Sequence, residues 1–177
     1  MRDRKFRLVD VCLATSAAPI YLPLADDLTG LYNRRGFLTH AGLYIQSARS
    51  SGRPFLLFYA DVDGPKQIND AYGHEEGSRV INEVADVLRE TFRDSGIIAR
   101  LGGDEFTILA VDAAPDGEES IRARLRENLR SQNERRRAGY DLSLSMGTVR
   151  ADPNGDETVE ELIHRADRAM YEHKRGR

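Results

Sequence analysis

The stretch "ARLGGDEFTIL", Ala99 to Leu109, sets two glycines and two carboxylates, Asp104 and Glu105, between short apolar runs. Hairpin turns ordinarily place Asn or Asp ahead of glycine, where the polar side chain serves the turn itself. Here the glycines come first and the acids open the outgoing strand. That order predicts a hairpin joined through Leu101-Gly102-Gly103-Asp104, with a backbone that something approaches closely and carboxylates beside it.

Upstream, "FLLFYADVD", Phe55 to Asp63, is a continuous apolar run with aromatics, the pattern of a central strand buried on both faces. It ends in Asp61 and Asp63. From Glu76 to Phe92, Val80, Ile81, Val84, Val87 and Leu88 recur at helical spacing, and Arg79, Asn82, Glu83, Asp86 and Arg89 fill the opposite face. "DDLTGLYNRRGF" reads as a turn opening a helix that runs to Ala48, with Asp26, Thr29 and Asn33 as cap-type residues. Asp116 to Arg137 reads as a charged surface helix on Ile121, Leu125 and Leu129. Its arginines are interspersed with Glu118, Glu119, Glu127 and Glu134, which argues for a solvated face rather than a nucleic-acid patch. "DLSLSMGTV" alternates and predicts a half-exposed strand. Thr158 and Glu161 match a capping box, opening a last helix on Val159, Leu162, Ile163, Ala166 and Met170.

With the first and last helices set aside, the order is β-α-β-β-α-β, a ferredoxin-like α+β palm. This predicts an antiparallel sheet covered by helices on one face. Asp61/Asp63 and Asp104/Glu105 then converge at one edge of that sheet.

At 177 residues and 40% hydrophobic composition, the chain predicts one domain with a sizeable core. A net charge of -3 argues against a nucleic-acid polymer as partner. The single cysteine, Cys12, fits a reducing cytosol. The longest apolar run in the body, Phe55 to Ala60, is far short of a membrane span. Leu8 to Ala25 is apolar, but Asp10, Pro19 and Pro23 interrupt it and no signal-like cleavage pattern stands out. A soluble, cytoplasmic chain without membrane contact is the expectation.

Convergent carboxylates are costly unless a cation neutralises them. Oxygen-only ligands suit Mg²⁺ or Mn²⁺ rather than zinc. Two such ions on a palm serve in-line attack on a phosphate. The plainer alternative is acids that cap turns and face solvent. Two pairs beside a double glycine favour the metal.

From Asp26 to Arg177 the chain resembles the GGDEF family of diguanylate cyclases. The resemblance rests on "DDLTGLYNRRGF", "DVDGPKQINDAYGHEEG", "RLGGDEF", "SMG" and "ADRAMYEHKRGR", in the family's order. It leaves residues 1–25 as a leader or linker of unknown role, a possible contact to an upstream sensory domain or partner, and 26–177 as the catalytic domain. It implies a homodimer in which each domain holds one nucleoside triphosphate, and each 3′-hydroxyl attacks the α-phosphate of the other. Asp61, Asp104 and the Val62 carbonyl would hold metal, with two Mg²⁺ (or Mn²⁺) per site. Glu105 would be a further ligand or the base that takes the hydroxyl proton. Lys66 would stabilise phosphate charge, and Lys174 and Arg177 would reach the triphosphate. Asn69 would hydrogen-bond the base, with His74 in the same segment. Asp63 is expected to be structural.

This chain departs from the pattern in four places. Gly64 and Pro65 precede Lys66, and Pro65 removes an N–H from a segment expected to cradle phosphates. The last motif is one residue short between Lys174 and Gly176. The product-inhibition motif, Arg-x-x-Asp, keeps Arg93 but has Gly96 in place of the acid, which predicts weak feedback. Ser78 stands where most relatives carry aspartate, whose carboxylate accepts from guanine N1–H and N2–H₂ and repels adenine N1. A hydroxyl both donates and accepts, so GTP and ATP become the expected substrates. Serine here also resembles the hybrid promiscuous subset that makes cyclic GMP-AMP. Alternatively Ser78 opens the helix as a cap and Asn69 still selects guanine, giving a GTP-only enzyme. A catalytically silent nucleotide-binding regulator, and a one-chain adenylate-type cyclase, are the competing functions.

Overall fold

The computed structural model describes residues 23–92, 96–111, 117–136 and 138–175. Its elements are α1 (Arg34–Ser50), β1 (Phe55–Val62), α2 (Pro65–Tyr72), α3 (His74–Thr91), β2 (Gly96–Gly102), β3 (Glu105–Val111), α4 (Gly117–Arg135), β4 (Leu144–Ala151) and α5 (Val159–Arg175). The strands form one antiparallel sheet in the order β2-β3-β1-β4. This is the order the split β-α-β pattern requires.

β1 decides how the layers stack. Leu56, Phe58, Ala60 and Val62 pack with Val80, Val84 and Leu88 of α3 and with Ile121 and Leu125 of α4. Phe92 meets Phe58 edge-on at 5.3 Å. The alternate residues Phe55, Leu57 and Tyr59 pack with Phe37 of α1 and Leu162 and Ala166 of α5. The sheet is therefore covered on both faces, which corrects the one-face expectation. The two helices outside the six-element pattern supply the second layer that a doubly apolar strand requires.

β4 corrects a second expectation. It is buried at most positions rather than half-exposed, because α5 lies directly on it. A Cβ at Gly147 would collide with the Ala166 carbonyl oxygen and the Met170 backbone nitrogen, so the glycine of "SMG" lets a helix backbone seat on the strand. The alternating serine at 145 does not mark exposure either, since Ser145 is buried.

α2 was not anticipated. Gly64 turns the chain through φ +68 and Pro65 takes the first helical position, where the missing N–H would be unpaired anyway. Gly73 (φ +88) breaks the helix and starts α3 at His74, two residues before Glu76. The capping box holds: the Thr158 N–H donates to Glu161 at 2.7 Å, and the Glu161 N–H donates back to the Thr158 hydroxyl at 3.2 Å.

Both sheet edges are attended to. Tyr32 runs beside β2, its N–H donating to the Ile98 carbonyl at 3.2 Å and its carbonyl accepting from the Arg100 N–H at 2.9 Å. On β4, Arg122 of α4 donates to the Thr148 hydroxyl at 2.6 Å and to the Met146 carbonyl at 3.4 Å. Among the described residues no helix is long and apolar enough to cross a membrane.

Candidate active site

The antiparallel register of β1 and β3 makes Asp61 and Glu105 direct partners. The turn between β2 and β3 is Gly103-Asp104, with Gly102 paired to Glu105. Gly103 sits at φ +51, where glycine carries no Cβ penalty. Nothing lies within 4 Å of where a Cβ would stand at Gly102 or Gly103. The glycines thus serve the turn's conformation and leave its outer side open. The Val62 N–H donates to the Asp104 carbonyl at 3.2 Å, holding the turn against the end of β1.

Asp63 has a different task. Its carboxylate accepts from the hydroxyls of Ser143 and Ser145, both at 2.6 Å, and its N–H donates to the Ser143 carbonyl at 2.9 Å. It ties the end of β1 to the start of β4.

Lys174, from the last turn of α5, forms an ion pair with Asp61 and stands 3.6 Å from Asp63. Burial depresses its ammonium, but the hydrogen bond and charge of Asp61 and the nearby Asp63 hold it above the usual lysine range. Asp61, Asp104, Glu105 and the Val62 carbonyl offer oxygen only. That donor set fits a hard divalent cation, and the Lys174 ammonium at Asp61 shows that the position draws positive charge. The side chains are not gathered for it: among the described residues no three His, Cys, Asp or Glu side chains converge at metal-binding range. Tyr59, 5% exposed, has its phenol pushed above the ordinary range by burial and by the Glu105 carboxylate. A tyrosine inside an apolar run reads as core, so no sequence signal marked it.

A cleft of about 560 Å³ opens between α2, α3 and the signature turn. Lys66, Asn69, His74, Ser78, Arg100 and Asp104 line it. The structure thus gathers Lys66 and the proposed base residues Asn69, His74 and Ser78 beside one acid of the turn. Asp61 and Lys174 are not among the lining residues. Arg93, Arg177 and residues 1–22 lie outside the described residues.

Two packing details shape the cleft. The Asn69 side-chain oxygen lies so close over Gly77 that a Cβ there would collide with it. Ser78 is the fifth residue of α3, and Gly73 holds the N-cap position. The reading of Ser78 as a helix cap is therefore overturned, and its side chain belongs to the cleft.

Arg100 went unassigned in the sequence, although it stands three residues before Gly103. Its Nε and Nη2 donate to the Gly103 carbonyl at 2.9 and 2.8 Å. Its Nη1 reaches both oxygens of Asp26 at 3.2 and 3.1 Å. Asp26 also accepts from the Thr29 N–H at 2.9 Å and hydroxyl at 2.7 Å. Burial pushes the Asp26 carboxyl up, yet Thr29 and the Arg100 guanidinium together hold it below the usual carboxylate range. One arginine thereby fastens the N-terminal turn to the signature turn.

A β2-β3-β1-β4 palm with carboxylates at the ends of β1 and β3 and a cleft alongside that presents Lys66, Asn69 and Ser78 defines a nucleotidyl-cyclase type of domain. The family model described as "Diguanylate cyclase, GGDEF domain" matches residues 24–177, and the chain belongs to this GGDEF family. Diguanylate cyclase DgcP of Escherichia coli is 31% identical over 97% of this chain, which spans 50% of that protein's length. The GGDEF domain of DgcB from Caulobacter crescentus, solved in complex with c-di-GMP, superposes with a TM-score of 0.78 at 28% identity, covering 90% of this chain and 94% of that one. Diguanylate cyclase SiaD from Pseudomonas aeruginosa, solved with its activator SiaC, gives a TM-score of 0.79 at 28% identity, covering 95% of this chain and 62% of that one.

Proposed function

We propose that this domain is a dinucleotide cyclase that condenses two nucleoside triphosphates, with cyclic di-GMP as the product its family membership favours. The observation that carries the reading is an intact signature turn whose Asp104 lines the same cleft as Lys66 and Asn69, with Asp61 facing Glu105 across the strands. Each 3′-oxygen forms a bond to the α-phosphorus held by a second copy of the domain. The bond to the bridging oxygen breaks and pyrophosphate leaves, twice per product. Lys66 offsets phosphate charge, and Asn69 and His74 hold the base. Glu105 completes the acidic set or accepts the hydroxyl proton. A bound Mg²⁺ or Mn²⁺, held by Asp61, Asp104 and the Val62 carbonyl, would supply neutralisation of the triphosphate. By analogy with SiaD and its activator, a regulatory partner acting through residues 1–25 fits the same scheme.

Ser78 favours a second product. Its side chain lines the cleft and caps no helix, and its hydroxyl serves adenine N1 as readily as guanine N1–H. The domain then makes 3′,3′-cyclic GMP-AMP alongside cyclic di-GMP. The test is incubation with Mg²⁺ and equal GTP and ATP at high protein concentration, with products resolved by chromatography. Both cyclic products support the mixed enzyme, and Ser78→Asp should cut cyclic GMP-AMP about tenfold or more. Cyclic di-GMP alone leaves a conventional diguanylate cyclase. No pyrophosphate from wild type leaves a nucleotide-binding regulator.

A further inference from the structure

We propose that the Lys174 ammonium is a built-in counter-ion of the acidic sheet end, which a divalent cation must displace and which nucleotide phosphates draw away. The inference rests on the reading of Asp61 as a metal ligand. Asp61 faces Glu105 across the β1–β3 register, and Asp63 follows two residues after Asp61 at the end of β1. Asp63 is already served by two serine hydroxyls. Asp61 takes Lys174 instead, and its side chain is only 18% exposed. A pair so placed is screened less than a surface pair.

The lysine is anchored at its base by packing, and its tip is held by the contacts to Asp61 and Asp63. One turn before it, the Met170 backbone is seated on Gly147, so the stem has a fixed origin on α5. The side chain is 38% exposed and can swing without moving the helix. An ammonium and a divalent cation cannot share one carboxylate without strong mutual repulsion. The cation alone therefore competes with Lys174 and binds weakly. A triphosphate offers the ammonium a better partner and frees Asp61. Cation and nucleotide then bind with positive coupling, each raising the affinity of the other by the same factor.

The experiment titrates Mn²⁺ into the nucleotide-free full chain and follows the free ion by electron paramagnetic resonance. Wild type is compared with Lys174→Met, Lys174→Arg and Asp61→Asn, each checked by thermal melting. Lys174→Met should bind Mn²⁺ on the order of tenfold tighter than wild type. Lys174→Arg, which keeps the charge, should stay near wild type, and Asp61→Asn should bind weakly. Should Lys174→Met not fold, Lys174→Gln makes the same comparison. Unchanged or weaker Mn²⁺ binding on neutralising Lys174, with Asp61→Asn still impaired, overturns the counter-ion and leaves the metal site standing. Indifference to Asp61→Asn overturns both.

Discussion

Gly77 separates what a helix prefers from what a cleft requires. Alanine inside a helix is worth about 1 kcal/mol over glycine, so on propensity alone Gly77→Ala stabilises α3. The added Cβ, however, takes the place of the Asn69 side-chain oxygen, and that oxygen belongs to a flexible tip that can swing away. The expected result is a melting temperature at or above wild type, with GTP affinity lowered about tenfold by calorimetry. Unchanged affinity would show that Asn69 does not need its seat. At this scale the sequence named candidates, of which Lys66, Asn69, His74, Ser78 and Asp104 line one cleft, but not what each touches. Asn69 and Gly77 are eight positions apart on two helices, and only the break at Gly73 folds one over the other. Asp26 and Arg100 are 74 positions apart, and no local pattern announces their ion pair. Tyr59 was invisible because its ring suits a core and only its hydroxyl is unusual there.

The helix α5 shows how an element acts on the site through its packing. Its capping box and apolar stripe were readable, since both obey the helical repeat. Its place on β4 was not, because the determinant is one missing side chain at Gly147. Gly147→Ala forces the Ala166–Met170 turn off the strand and should cost about 1–3 kcal/mol, read as a lower denaturant midpoint. The same shift carries Lys174 away from Asp61, so nucleotide-free Mn²⁺ binding should tighten in this variant as well. A variant that is destabilised but binds Mn²⁺ as wild type does would separate the two effects. α2 escaped sequence reading for the opposite reason: Gly64, Pro65 and Gly73 are loop residues by composition, yet here they start and stop a helix.

For the whole molecule, the apolar run of β1 announced burial on both faces, and the six-element pattern announced only one layer of cover. The two readings conflict, and burial wins. Leaving Phe55 and Leu57 in water would cost roughly 1.5–3 kcal/mol each, so α1 and α5 complete the domain. The resulting sheet carries helices on both faces, and its remaining vulnerability is lateral. Tyr32 closes the β2 side with backbone bonds, but the β4 side is met by a side chain, Arg122. An open strand edge is a template for another chain. Arg122 therefore bears on colloidal behaviour: its guanidinium occupies the Met146 carbonyl and sets a charge where a foreign strand would dock. Arg122→Ala should leave the melting temperature within a few degrees of wild type. Held warm at high concentration, it should scatter light and bind a cross-β dye far sooner than wild type, whereas identical time courses would mean that the edge is silenced by some other means. A residue with no part in the chemistry would then set how long the protein stays dissolved when it is concentrated.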